Sequence, residues 1–399
     1  MNRKSFGLRV IASGLLVAGM LTVAASVSTV TAAGAAKKLP PYLIGVPMPM
    51  TGAEAQAGTQ IYNAELMAAQ QINKHGGVLG HPIKLLEQDD ACDAGTAVNA
   101  VNLLVSKGVK AFVGGYCSGS VLPTEPIISR AGLPYVMPAA NSPELTTGGY
   151  KDMFLIDPSG SGDGAEAAAF FKQQGITKIY IIDDQSSFGV AIADAAAKDV
   201  AAAGGTVVDG GVQSIPATSN DFSAVISQIK SSGATGIYWS GYFSQAAQFA
   251  TQLNAAGVIG PNGTAKFVVA DGSVDATYLS AAGAAANGTY ATIAALASGV
   301  GNVLGSHADK VFNLAYRKEF KSAPGPYSAF GYDAITALVL AAKHVHSIVP
   351  KRVNAGLRTL HFVGLTGKIS FDKTGNRLGA TMDLLEVVNG KYTLAKPQP

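Results

Sequence analysis

The stretch GGYCSGS at positions 114–120 places a thiol beside a hydroxyl where an apolar run meets the start of a predicted helix. Cys117 has three interpretations: a nucleophile on a sharp strand-to-helix turn, one half of a disulfide, or a small buried residue beside a functional Ser118. A cysteine nucleophile needs a histidine base that is oriented by a third group. The sequence gives none of the six histidines such a position, which disfavours the nucleophile.

Ser118 occupies a position where a hydroxyl is able to help bind a carboxylate. It begins a predicted helix directly after a strand, and serine is common there simply as an N-cap. The same position combines a hydroxyl with the partial positive charge of a helix N-terminus, so the two interpretations are physically compatible. A zwitterionic ligand would also need an acid such as Asp271 for its ammonium group, although Asp271 equally suits a cap or a turn.

Two further motifs suggest cofactor or metal chemistry more weakly. GSGDGA at 160–165 fits the G-x-G-x-x-A pattern of a dinucleotide site, with Asp183 or Asp184 about 20 residues later. Pro158 interrupts its turn, and we interpret the segment as a flexible connection between two lobes. DDACD at 89–93 lacks the spaced ligands of a calcium loop, so we expect a surface cluster. The sequence therefore predicts no catalytic residue, no metal site and no cofactor.

Short apolar runs alternate with helical patterns from Pro41 onward, which predicts βαβ units and parallel sheets. The alternation restarts after the glycine-rich DPSGSGDG at 157–164, so we predict two α/β lobes. Helices near 307–320, 329–347 and 351–359 and a C-terminal strand pair must join one lobe or the other. Ligands of open α/β sheets bind beyond the carboxyl ends of the strands. The candidates at such ends are Ser118, Asn141, Tyr242 and Asp271.

Residues 1–36 have the layout of a cleaved secretory signal peptide, in which basic residues precede an apolar stretch and small residues follow. A membrane anchor is the alternative, because the apolar stretch approaches spanning length. The small residues favour cleavage, and the lack of a following cysteine argues against a lipoprotein. We therefore expect a periplasmic or otherwise extracytoplasmic protein.

Export also bears on charge and on the cysteines. The signal contains Arg3, Lys4 and Arg9, and without them the chain has equal numbers of basic and acidic residues. Such a balance predicts no binding to nucleic acid or to an anionic membrane. Cys92 and Cys117 are the two cysteines of the chain, and in an oxidising compartment they are expected to pair with each other.

Taken together, these motifs resemble the leucine/isoleucine/valine-binding proteins of branched-chain amino-acid ABC importers. The resemblance is densest in GGVLGHPIKLLEQDDACD, YCSGS, PAANSPELTTGGY and GPYSAFGYDA. It implies a type I periplasmic-binding-protein fold, in which two doubly wound parallel-sheet lobes are joined by a three-segment hinge. The lobes would comprise 39–159 plus 295–377 and 160–294 plus 378–399, and Cys92 and Cys117 would form a disulfide.

The resemblance also implies roles for individual residues. Ser118 and the backbone N–H of Asn141 would receive the ligand carboxylate, and the carbonyl of Ala139 and the side chain of Asp271 would receive its ammonium group. Three positions depart from the family pattern: Asn141 replaces Thr, Phe188 replaces Tyr, and Ala57 replaces a large aromatic residue. The full set of predicted ligand-binding residues is Ala57, Ser118, Ala139, Ala140, Asn141, Phe188, Tyr242, Asp271 and Tyr327.

These inferences converge on a solute-binding protein that closes two lobes on a branched-chain or other apolar amino acid. We expect a monomer that presents this ligand to an ABC permease in the cytoplasmic membrane. The alternative within this class is the same fold with another small carboxylate or amide as ligand. An exported hydrolase or a dinucleotide-dependent enzyme is the alternative from a different class.

Overall fold

The structure is a computed structural model that describes residues 39–294 and 307–395. The predicted signal peptide, residues 1–36, lies outside the described residues. Within these two ranges, no helix is both long enough and apolar enough to cross a membrane.

A five-stranded parallel sheet is built from the first part of the chain. Its order is β2-β1-β3-β4-β5, and neighbouring strands pair in parallel. Strand β1, which lies between β2 and β3, has no charged residue, and its Tyr42, Ile44, Val46 and Met48 are fully buried. A continuous apolar run is expected for a parallel strand that is covered on both faces. The strands are β1 Tyr42–Met48, β2 Ile83–Asp89, β3 Ala111–Val113, β4 Tyr135–Met137 and β5 Met153–Leu155.

A second, eight-stranded sheet follows in the order β15-β14-β11-β10-β9-β6-β7, with β8 also paired to β6. Strands β6 to β11 pair in parallel. The C-terminal pair predicted from sequence joins this sheet antiparallel, as β14 beside β11 and β15 beside β14. The strands are β6 Lys178–Asp183, β7 Thr206–Val207, β8 Gln213–Ser214, β9 Gly236–Ser240, β10 Lys266–Val269, β11 Tyr290–Ala294, β14 Met382–Val388 and β15 Lys391–Leu394. A hairpin that the sequence did not predict, β12 Phe362–Gly364 and β13 Gly367–Ile369, stands apart from both sheets.

Helices cover the sheets and account for most of the remaining chain. The late helix α12 packs along α1 and against α13, and α6 packs along α7. The helices are α1 Ala55–Lys74, α2 Ala94–Ser106, α3 Ser118–Val121, α4 Glu125–Arg130, α5 Glu144–Thr147, α6 Ser161–Gln173, α7 Ser187–Ala202, α8 Ser223–Ser232, α9 Phe243–Ala255, α10 Ala276–Ala282, α11 His307–Phe320, α12 Ser328–His344 and α13 Pro350–Arg358.

The interpretation of DPSGSGDG as a connection between lobes is wrong for its second half. Helix α6 begins at Ser161, and Asp163 within it is fully buried. The glycine spacing serves packing, because a Cβ on Gly164 would lie 2.5 Å from the Cα of Ala196 in α7. Side-chain-free positions let two helix backbones approach this closely. The dinucleotide-like pattern is therefore explained by helix packing.

The helical pattern of the sequence begins at Thr59, and helix α1 starts four residues earlier, at Ala55. Gly58 lies inside its first turn, where glycine weakens a sequence-based prediction of helix. A Cβ on Gly58 would lie 1.9 Å from the carbonyl oxygen of Pro49, so the residue allows the helix to cross closely over the end of β1. As a result, Glu54 occupies the N-cap position of α1, directly beyond the carboxyl end of that strand.

Candidate functional site

The two sheets share one strand order, and their switch points face each other. Strands β2-β1-β3 of the first sheet correspond to strands β7-β6-β9 of the second. In a doubly wound sheet the ligand crevice opens where the strand order reverses, which is beside β1 and β3 in the first sheet and beside β6 and β9 in the second. The segments that follow β1, β3, β6 and β9 contribute Glu54, Gly119, Asp184 and Tyr242 to a single cavity of about 410 Å³. The crevices of the two sheets therefore form one site, which we call the acidic cavity. Its lining comprises Ala53, Glu54, Ala91, Cys92, Asp93, Ala94, Cys117, Gly119, Asp184, Gln185, Ser186, Ser187, Ala217, Tyr242, Ser244 and Gln245.

The GGYCSGS segment turns sharply after β3 because its first two residues are glycines. Gly114 and Gly115 have φ values of 96° and 87°, in the left-handed region that disfavours residues with a Cβ. A Cβ on Gly115 would also lie 2.6 Å from the Tyr135 hydroxyl. The turn places Ser118 as the first residue of α3, with Cys117 at the N-cap position.

Ser118 is fully buried and is tied to the loop that follows β4. Its Oγ accepts a hydrogen bond from the backbone N–H of Ser142 at 3.2 Å. The backbone N–H of Ala140 donates to the carbonyl oxygen of Gly115 at 3.1 Å. These two bonds hold the predicted carboxylate-binding loops, 114–118 and 139–142, against each other.

Asn141 links three segments through its side-chain amide. Nδ2 donates to Oδ2 of Asp271 at 2.7 Å and to Oδ2 of Asp157 at 3.2 Å. Asp271 follows β10 of the second sheet, and Asp157 follows β5 of the first. Sequence analysis named Asn141 and Asp271, and the structure brings them into direct contact.

The carboxyl groups at this point are fully enclosed, and their acidities change accordingly. Burial raises the pKa of Asp271 to about 6, although hydrogen bonding to Asn141 lowers it. Burial also raises the pKa values of Asp157 and Asp163 well above the ordinary range, and the carboxylate of Asp271 adds to both shifts. Oδ1 of Asp271 is buried and makes no hydrogen bond of standard geometry with the described residues, although the hydroxyl of Tyr327 and the backbone N–H of Gly272 lie near enough to the carboxyl group to lower its pKa. It therefore retains an acceptor for a donor group.

Aromatic rings form the wall between this acid cluster and the acidic cavity. The ring of Tyr242 lies 5.7 Å from that of Tyr116 and 5.2 Å from that of Phe188, between centroids. Tyr327 continues the row at 5.8 Å from Tyr116. The predicted residues Phe188, Tyr242 and Tyr327 are thus assembled, with Tyr116 at their centre. Sequence analysis missed Tyr116, although it lies two residues before Ser118 in the quoted segment.

Ala57 and Ala139 are buried near these rings, in the hydrophobic cluster that contains Tyr116 and Tyr327. Neither residue lines the acidic cavity. Glu54, which precedes Ala57 by nearly one helical turn, does line it and was missed by the sequence analysis. The sequence feature that could have identified Glu54 is its position shortly after the apolar run 42–48, where a loop beyond a strand end is expected to face a ligand.

Cys92 and Cys117 form a disulfide. The expectation that DDACD is a surface cluster is wrong for Asp90, which is 1% exposed and raised in pKa to about 6 by burial. Asp89 and Asp90 accept backbone N–H bonds from Ala91 and Cys92, and Asp93 caps α2 through Thr96. These acids hold the loop in one conformation.

No group of three or more His, Cys, Asp or Glu residues is arranged to hold a metal ion within 39–294 and 307–395.

The architecture and the site can now be compared with known proteins. A family model described as periplasmic binding protein matches residues 41–391. The chain belongs to the periplasmic binding protein family. This confirms the resemblance that was inferred from the motifs.

Curated relatives of this periplasmic binding protein cover most of its length. A leucine-, isoleucine-, valine-, threonine-, and alanine-binding protein of Pseudomonas aeruginosa is 30% identical over 329 residues, which are 82% of this chain and 85% of the relative. A leucine-specific-binding protein of Salmonella typhimurium is 28% identical over 354 residues, which are 87% of this chain and 91% of the relative.

Solved structures of periplasmic binding proteins share the fold. A leucine binding protein from Thermotoga maritima has a TM-score of 0.80 at 23% identity, over 89% of this chain and 97% of that chain. A solute binding protein from R. palustris in complex with benzoate has a TM-score of 0.78 at 20% identity, over 90% of this chain and 97% of that chain. The two-lobed fold class predicted from the sequence is confirmed, while the lobe boundaries 39–159 plus 295–377 and 160–294 plus 378–399 stay a prediction.

Proposed function

We propose that this chain is the extracytoplasmic solute-binding component of an ABC importer and that it binds an α-amino acid between its two sheets. The observation that supports an amino acid most directly is that Ser118 and Asp271, both buried, are hydrogen-bonded to neighbouring residues of one loop, Ser142 and Asn141. Ser118 supplies a hydroxyl at a helical N-terminus, which suits a carboxylate. Asp271 supplies a buried acceptor without a hydrogen bond, which suits an ammonium group.

The charges around the site favour an amino acid over a simple carboxylate. Glu54, Asp184 and Asp271 surround the ring of Tyr242 closely enough that each raises its pKa. The residues that line the acidic cavity, all in the described part of the chain, include no Lys, Arg or His. A benzoate-type ligand, such as the one bound by the R. palustris protein, would bring a negative charge to these acids without an ammonium group to offset it. It remains the second candidate because of that similarity in fold.

The aromatic wall supports an apolar side chain on this amino acid. Tyr116, Phe188 and Tyr327 are buried and form one row of rings with Tyr242. The relatives named above bind leucine and similar amino acids by name, which agrees with such a wall. We infer that branched-chain or other apolar amino acids are ligands of this chain.

Binding rather than catalysis is the inference from the same groups. The sulfur of Cys117 is in a disulfide, so it is not a thiolate nucleophile. The nearest acids already accept hydrogen bonds that fix loops, as Asp184 does from Ser186 and from the backbone of Tyr242.

Transport requires motion and a partner, and we propose both. The two lobes, 39–159 plus 295–377 and 160–294 plus 378–399, would close about their connecting segments around a bound ligand, the common mode for such proteins. We propose that the protein works as a monomer outside the cytoplasm, exported by the signal peptide 1–36, and delivers the ligand to a membrane permease.

Calorimetric titration of the mature protein with leucine, valine, alanine and benzoate tests this proposal. We expect leucine to bind at least about tenfold more tightly than alanine, because each buried methylene contributes about 0.8 kcal/mol. Benzoate should bind more weakly than leucine. Tight benzoate binding with no response to any amino acid would replace the proposal by its second candidate.

A further inference from the structure

Glu54 is a buried acid that the binding of an apolar amino acid does not use. It is 6% exposed and lies at the N-cap position of α1, where it lines the acidic cavity. Its Oε2 is buried and has no hydrogen-bond partner among the described residues. A carboxyl oxygen in this condition costs free energy unless a donor reaches it.

The other groups that face Glu54 are acidic or aromatic. Asp184 and Asp275 raise its pKa through their charges, in addition to burial, and Glu54 in turn raises the pKa values of Tyr116 and Tyr242. Asp184 already accepts hydrogen bonds from the backbone N–H groups of Ser186 and Tyr242. Asp275 accepts from the side chain of Gln56 and the backbone N–H of Thr277. Among these three acids, Glu54 is the one with a buried oxygen that no described donor reaches.

The cavity in front of Glu54 suits the end of a positively charged side chain. Asp93 also lines it, together with the amide and hydroxyl groups of Gln185, Ser187 and Gln245. The ring of Tyr242 forms one wall, and tyrosine rings attract cations through their faces. A volume of about 410 Å³ lies within the range of small-molecule sites.

We propose that the acidic cavity binds the amino or guanidinium end of a basic amino acid, so that lysine-like ligands are accepted in addition to apolar ones. The inference rests on the proposed function, because the α-ammonium and α-carboxylate of such a ligand use Asp271 and Ser118. Its side chain would run along Tyr242, which lies close to Asp271 and also lines the cavity, and would end at Glu54 and Asp184. An apolar ligand leaves Glu54 protonated, since burial and the neighbouring acids raise its pKa to about 8; a cationic side chain stabilises its ionised form.

Lysine and norleucine provide a matched pair of ligands, because norleucine has the same carbon chain without the terminal ammonium group. Calorimetry on the intact mature protein should show lysine binding at least about tenfold more tightly than norleucine, as expected for one charge-assisted hydrogen bond. In Glu54→Gln, the ratio of the two affinities should fall by about the same factor. Glu125→Gln is the matched control: Glu125 is also buried and its pKa is also raised to about 8, but it lies outside the cavity. It should leave the ratio unchanged.

A measurement on the unmodified protein keeps the test independent of whether the variants fold. At pH 7 lysine should release up to about one proton on binding, seen as a dependence of the calorimetric heat on the ionisation enthalpy of the buffer. Norleucine should release none. Norleucine binding as tightly as lysine, or lysine binding without proton release, would overturn this inference and leave the proposed function intact. Failure of leucine, norleucine and lysine alike to bind would overturn the proposed function as well.

Discussion

At the scale of single residues, Ser118 and Asp271 serve the two ends of the proposed ligand by different means. Asp271 would meet an ammonium group with a full negative charge inside a fully buried site. Ser118 would meet a carboxylate with one hydroxyl, and the backbone N–H of Asn141 is predicted to donate to the same ligand group. The loss of a charge and the loss of a hydroxyl should therefore have unequal effects.

Replacing Asp271 by Asn should weaken amino-acid binding by about two orders of magnitude or more, because a buried ammonium group would lose its counter-charge. Ser118→Ala should cost less than about tenfold, since the backbone donors remain. Isothermal titration of both variants beside Glu125→Gln measures the difference. Normal binding by the Asp271 variant would mean that the ligand has no ammonium group at this point, and a simple carboxylate would then be favoured.

At the scale of elements, the loop between β2 and α2 is held in an unfavourable backbone conformation beside the cavity. Ala91 and Cys92 both have positive φ values, of 50° and 53°, which residues with a Cβ rarely adopt. Hydrogen bonds to Asp89 and Asp90 and the disulfide to Cys117 oppose this strain. Because Cys117 precedes Ser118, the disulfide anchors the turn that we propose to bind the ligand carboxylate, and a turn held in place beforehand lowers the ordering cost of binding.

Replacing Cys92 and Cys117 together by Ser should lower the free energy of unfolding by about 3–4 kcal/mol, the chain-entropy value for closing such a loop. Ligand recognition should survive, because neither sulfur is assigned a contact with the ligand. Urea denaturation and calorimetry on the same variant separate the two effects, and reduction of the unmodified protein should reproduce the loss of stability. Two free thiols in native exported protein, detected by mass spectrometry, would contradict the bridge.

At the scale of the whole molecule, buried carboxyl groups make stability depend on pH in one direction. Burial raises the pKa values of Glu54 and Glu125 to about 8 and those of Asp90 and Asp271 to about 6. The folded protein therefore holds more protons than the unfolded chain between the ordinary carboxyl pKa values and about 8. The free energy of unfolding must fall as pH rises through this window.

We expect the free energy of unfolding without ligand to decrease by about 1 kcal/mol or more between pH 5 and pH 8.5, since one pKa unit corresponds to about 1.4 kcal/mol. Glu125→Gln should flatten the upper part of this curve, because it removes one proton that the folded state retains. Denaturant titrations at stepped pH provide the measurement. A stability that rises steadily over the same range would show that these acids are ionised and well solvated in the folded protein.

The sequence by itself determined the elements and the general position of the site. The apolar run 42–48 coincides with β1, because a strand covered on both faces needs continuous apolar residues. The rule that ligands bind beyond strand ends selected Ser118 and Asn141 after strands of the first sheet and Tyr242 and Asp271 after strands of the second. The structure brings Asn141 and Asp271 into contact across the two sheets. Local composition specifies these features, so no long-range information was needed.

Tertiary structure alone decided which polar groups are enclosed together. Glu54, Asp157 and Asp163 occur in segments that the sequence presents as loops, and their burial depends on packing by residues far away in the chain. Gly58 and Gly164 show the same dependence, because each allows a close backbone approach that only the folded chain reveals. The raised pKa values of the site arise from this enclosure, because a carboxyl group is harder to ionise when neighbours from both sheets exclude water from it. No stretch of sequence records which neighbours those are.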